Sequence, residues 1–171
     1  MRKFLLGAVL LLFTVCSAFS QKFAYVDSEY ILNNIPAYKS AQDQLDKQSS
    51  EWQKEIENKY AEIDKIYKDY QAQSVLLSDD MKKKRENEIV AKEKAVKELQ
   101  KKYFGQDGDL FKKRQELVKP IQDEVYAKVK EIATEGNYAI IFDTASGASM
   151  LYTDPRYDKS DEVLQKLGYK N

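Results

Sequence analysis

The sequence predicts an α+β protein that is mostly α: a long antiparallel helical hairpin, a coiled-coil-like arm, on a small β-strand body. Three observations predict it. From Ala37 to Ala72 there is neither Pro nor Gly, and apolar residues recur at three-four spacing. A second apolar series runs from Met81 to Ile132. Short β-prone runs lie outside both, at residues 23–26 and 138–142. The expected organisation is a leader at 1–20, a body built from 21–35 and 120–171, and an arm at 36–119.

Residues 1–20 read as an export signal. Arg2 and Lys3 precede an apolar run from Phe4 to Val15, and Ala18-Phe19-Ser20 supplies small residues for cleavage before Gln21. The run is shorter than the roughly 20 residues a membrane span needs. The leader at 1–20 contains Cys16, the one cysteine of the chain, so the exported protein has no disulfide framework. Its removal takes two basic residues and no acid, leaving 26 basic against 28 acidic side chains.

The first arm helix is expected to open at Pro36, where a missing N–H costs nothing. Its stripe is Leu45, Trp52, Ile56, Tyr60, Ile63, Tyr67 and Tyr70. The pattern lapses at Val75-Leu76-Leu77, and Ser78 with Asp79 and Asp80 suits a new helix start. The second stripe carries Met81, Ile89, Val96, Leu99, Tyr103, Leu110, Leu117, Ile121, Val125 and Ile132. Some 40 residues at 1.5 Å each make an arm roughly 60 Å long. Gly105 and Gly108 interrupt the second helix and are the candidate hinge. The aromatic residues Trp52, Tyr60, Tyr67 and Tyr70 are large for a narrow seam, which makes them available to a bound chain as well as to packing.

In the body, Phe23-Ala24-Tyr25-Val26 reads as a strand and Tyr138-Ala139-Ile140-Ile141-Phe142 as the strongest one. Glu135-Gly136-Asn137 is a helix stop. Ser149 to Thr153 reads as a hairpin partner reached by a turn around Gly147, and Ser160 opens a last helix ended by Gly168. So small a core leaves open strand edges, so the body is expected to oligomerise.

The composition limits chemistry. Without histidine, and with no cysteine after residue 20, zinc sites and Ser-His-Asp or Cys-His catalysis have no residues to use. Asp107 and Asp109 are too few ligands for a cation. Asp143, Asp154 and Asp158 are the only acids to nominate for a hydrolase, and turn and capping chemistry accounts for such residues more simply. No catalytic residue, metal or cofactor is expected, and nucleic acid is not an expected partner.

Over the whole exported chain, the sequence resembles the Skp/OmpH family of periplasmic chaperones. The resemblance rests on Phe23-Ala24-Tyr25-Val26-Asp27, Ile31-Leu32 and Pro36-Ala37-Tyr38-Lys39. It rests also on Gly136 to Asp143, on Leu151-Tyr152-Thr153-Asp154-Pro155, and on Asp158 with Val163-Leu164. It implies a jellyfish-like homotrimer in the periplasm. Strand bodies join in a shared barrel, and helical arms hold unfolded outer-membrane β-barrel proteins without ATP. On that reading Trp52, Tyr60, Tyr67, Tyr70, Val75, Leu76 and Leu77 contact the client, and Val26, Ile140, Phe142 and Leu151 build the body. The alternative is a structural or adaptor coiled coil of the envelope. Well-known members are strongly basic, whereas residues 37–77 carry 6 basic and 8 acidic side chains and residues 78–119 carry 13 and 9. The one basic cluster, Lys82-Lys83-Lys84-Arg85, is the candidate for weak contact with anionic lipid or lipopolysaccharide.

Overall fold

The computed structural model describes residues 21–147 and 150–169. The export signal expected at residues 1–20 lies outside the described residues, as do Ala148 and Ser149. The chain separates into two compact units, residues 21–31 with 127–169 and residues 32–126.

The second unit is a helix pair. Helix α2 runs unbroken from Pro36 to Gln73, with proline in the first turn. (A short helix α1, Ser28–Asn33, precedes it.) A 3-10 turn at Ser74–Leu76 reverses the chain into α3, Asp79–Phe104. Ser78 caps α3: its hydroxyl accepts from the Met81 N–H at 3.4 Å, and Asp79 and Asp80 occupy the positive first turn. The return path is broken twice. Gly105 and Gly108 both have extended backbone and bracket a short turn before α4, Asp109–Leu117. A second break at Val118 precedes α5, Lys119–Gly136. Pro120 explains it, since its missing N–H removes a helical hydrogen bond and its ring crowds the preceding turn.

Two apolar clusters hold this unit, and they share no residue. Ile56, Ile63, Ile89 and Val96 form one, with Ile66, Tyr70, Leu99 and Tyr103 packed on it. Ala41, Leu45 and Val118 form the other, with Tyr38, Leu110, Leu117 and Ile121.

In the first unit, β1 (Lys22–Val26) pairs in parallel with β2 (Tyr138–Asp143). Helix α5 ends at Gly136, and Asn137 takes the left-handed conformation at φ 53°. The helix stops within Glu135-Gly136-Asn137 as expected, and the asparagine tolerates the left-handed conformation because its short amide can bond locally. Of the hairpin partner expected at 149–153, the described part, residues 150–153, forms no strand. Asp143 closes an Asx turn by accepting from the Ala145 N–H at 3.0 Å, and a 3-10 turn at Thr144–Ser146 ending in left-handed Gly147 follows. That path leaves the sheet rather than folding back along β2. The chain returns on the other side of β1, where the Lys159 N–H donates to the Tyr25 carbonyl at 2.9 Å and Tyr25 bridges Asp158. Helix α6, Ser160–Lys166, closes the unit. Ser160 is not its cap. Asp158 accepts the Ser160 N–H at 2.8 Å, and the buried Ser160 hydroxyl accepts from the Asp27 N–H at 2.8 Å. Among the described residues, no helix is long and apolar enough to cross a membrane.

Candidate functional site

Two apolar surfaces stand out, one in each unit. On the helix pair, the seam uses one row of side chains and leaves others outside. Tyr60 and Tyr67 are exposed. Trp52 and Tyr70 are half-buried and already have partners within the chain. Trp52 stacks on Tyr103 with ring centroids 4.6 Å apart. Tyr70 donates to Glu86 Oε1 at 2.6 Å, and that carboxylate raises its pKa. At the turn, Val75 and Leu76 are 90% and 87% exposed, while Leu77 is half-buried. The turn therefore presents two apolar side chains almost entirely to solvent. Met81, assigned by spacing to the seam, is exposed beside them in the first turn of α3.

The basic cluster follows directly. Lys83 and Lys84 are exposed, Lys82 lies 3.8 Å from Asp79, and Arg85 donates to Glu88 at 3.0 Å. Two of the four cations are thus partly neutralised by their own helix.

The body residues named from the sequence do not share one core. Val26 is buried, but Ile140 and Phe142 of β2 are exposed, and Leu151 is 100% exposed. Strand β2 is the most β-prone segment of the chain, yet none of its residues is buried. Its register sets Phe23 beside Ile140 and Tyr25 beside Phe142. Phe23, Tyr25, Tyr138, Phe142, Tyr152 and Tyr157 line an open cavity of about 650 Å³. Phe23, Tyr152 and Tyr157 were not among the site residues named from the sequence. For Phe23 the signal was present: in a strand whose Ala24 and Val26 are buried, position 23 falls on the opposite face.

The three nominated carboxylates all serve turns and caps. Asp143 accepts from the Ser28 N–H and hydroxyl at 3.1 and 2.7 Å. Asp154 accepts from the Arg156 N–H and guanidinium, and Asp158 from Ser160. Arg156 holds the Asp154 pKa below its usual range.

The family model described as "Outer membrane protein (OmpH-like)" matches residues 22–167. The chain belongs to the OmpH-like family. Among solved structures, it resembles a proposed outer membrane chaperone (OmpH-like) from Caulobacter crescentus CB15, with a TM-score of 0.66. The two are 13% identical over 86% of this chain and 83% of that one, a likeness of fold. No curated protein sequence matches.

This OmpH-like chain also has an ion cluster that sequence spacing did not suggest. Lys166 of α6 donates to Glu131 of α5 at 2.6 Å and lies 2.8 Å from Glu135, and Lys128 reaches Glu131 at 3.0 Å. The bonds from Lys166 and Lys128 lower Glu131 to about 2, and the two carboxylates raise Lys166. Residues 131 and 166 belong to different helices, so no local pattern links them.

Proposed function

We propose that this OmpH-like protein is an ATP-independent holding chaperone of the periplasm, which keeps unfolded outer-membrane β-barrel proteins soluble. The observation that carries the reading is the pair of unsatisfied apolar surfaces on a chain of this family: the turn of the helix pair and the strand face of the body. The arm offers Val75, Leu76, Tyr60 and Tyr67 as dispersed, exposed contacts. An unfolded barrel strand alternates apolar and polar residues and has open edges. Many weak contacts can cover such a chain without selecting one conformation, and weak contacts release without nucleotide hydrolysis. The protein works by binding rather than by catalysis, with no cofactor.

In this proposal three copies join through their bodies. The bare apolar face of β2 and the fully exposed Leu151 are what a neighbouring copy would cover, with Phe142 and Ile140 at the contact and Val26 supporting β1 from inside. The helix pairs form arms that enclose the client, and residues 1–20 direct export and are removed. Contact with anionic lipid through Lys82, Lys83, Lys84 and Arg85 is weak, because Asp79 and Glu88 offset two of the charges.

The test is light scattering of a urea-denatured outer-membrane barrel protein diluted into buffer without ATP. The proposal expects aggregation to be suppressed at stoichiometric protein. A well-folded protein that fails to suppress it would instead be a structural or adaptor coiled coil with a fixed envelope partner.

A further inference from the structure

The two apolar clusters of the helix pair leave a gap between them. On α2, residues 46–55 lie between Leu45 of one cluster and Ile56 of the other, and Trp52 is their only apolar side chain. On the return path, the same interval contains the Gly105–Gly108 break, between Tyr103 of one cluster and Leu110 of the other. Trp52 is the apolar side chain of α2 that enters the gap, and it meets Tyr103, which packs on the cluster of Ile56. Its ring lies 4.6 Å from Tyr103 at an interplanar angle of 8°, and Phe104 meets it edge-on at 6.4 Å. The Tyr103 hydroxyl donates to Glu55 Oε2 at 2.9 Å, a second tie from the end of α3 to α2.

The break itself is tightly wound. A Cβ at Gly105 would collide with the Lys101 carbonyl oxygen. One at Gly108 would lie 2.8 Å from the Tyr103 carbonyl oxygen and 2.9 Å from that of Lys102. Within the break the Gly108 N–H donates to the Gly105 carbonyl at 2.9 Å, and the exposed Lys102 lies 3.9 Å from Asp109 on its far side. The helix pair thus has two packed segments, a break in one strand only, and a single aromatic clasp at the level of that break.

We propose that the clasp of Trp52 on Tyr103 and Phe104 is the pin of a joint: it holds the end of α3 on α2, confines bending of the helix pair to the Gly105–Gly108 break, and frees the break when it opens. Trp52 is therefore a positioning residue whose ring is committed within the chain. The joint depends on this chain alone and on no client, so its failure would leave the holding role untouched.

The test is amide hydrogen exchange, read by mass spectrometry on the purified protein and on Trp52→Leu, Tyr103→Leu and Trp52→Phe variants. Loss of an aromatic pair shifts the closed-to-open ratio by about 2- to 10-fold, and local opening sets the exchange rate. Trp52→Leu and Tyr103→Leu are expected to accelerate exchange at residues 101–112 by that factor, with residues 79–92 and 113–121 unchanged. Trp52→Phe, which keeps a ring to stack, is expected to exchange nearly as the parent does. Unchanged exchange at the break overturns the proposal. Acceleration spread evenly along both helices, or loss of the helical far-ultraviolet signal, overturns it too, because the clasp would then be ordinary seam packing. A Trp52→Phe variant as fast as Trp52→Leu removes the stacking argument.

Discussion

Leu151→Ser separates the fold of one chain from its association with others. Leu151 is 100% exposed in the single chain, so shortening it breaks no contact within the chain. Substitutions at such positions usually change stability by less than about 0.5 kcal/mol. If a neighbouring copy covers the side chain fully, each copy loses the burial of one leucine, about 1.5–3 kcal/mol. A closed trimer has three equivalent sites, so the loss is about 4.5–9 kcal/mol per assembly, or about three to six orders of magnitude in the dissociation constant. The assay is multi-angle light scattering across a dilution series, with far-ultraviolet circular dichroism on the same samples. The expected result is a parent at three times the chain mass and a variant that falls to the chain mass on dilution, with the same helical signal. A variant that keeps the trimer mass at every concentration would refute the argument that this segment lies in the shared body.

Three further outcomes are expected. Val75→Asp with Leu76→Asp should weaken suppression of barrel aggregation while leaving mass and helical signal unchanged, because both side chains are almost wholly exposed; full suppression by this variant would move the contacts away from the turn. Ile63→Ala removes one of four buried side chains from its cluster. It should cost about 2 kcal/mol, the low end for such deletions because a thin seam can partly collapse, and a urea titration followed by circular dichroism measures it. Glu131 gives a pH dependence whose sign follows from its lowered pKa: its contribution is complete above its ordinary value of 4.5 and disappears as pH falls toward about 2. Glu131→Gln should flatten the loss of stability in that window, and an identical acid titration of parent and variant would contradict the assignment.

Local rules made the helix pair readable. Pro36, Ser78, Asp79 and the three-four repeat act within one or two turns, so their effects do not depend on distant residues. The break at Gly105–Gly108 was visible for the same reason. What sequence could not supply were choices between distant partners. β2 takes β1 as a parallel neighbour more than a hundred residues away, and the run at 150–153 is left without one. A strand's propensity says that it needs a partner but not which edge it will find. The same limit applies to the candidate surface. The stripe phase identifies Trp52, Tyr60, Tyr67 and Tyr70 as one row, but the register of the opposing helix decides that Trp52 meets Tyr103 and Tyr70 meets Glu86 while the other two face solvent. The Glu131–Lys166 pair is hidden for the same reason, since it joins two helices separated by β2 and a long loop.

The most direct test of the holding role is the mass and composition of the complex formed when a denatured outer-membrane barrel protein is diluted into residues 21–171 of this protein without nucleotide. The account predicts a soluble species of three chains around one unfolded client, with the client's β-barrel signal absent. A client that precipitates while this protein stays alone at its own mass would contradict the account.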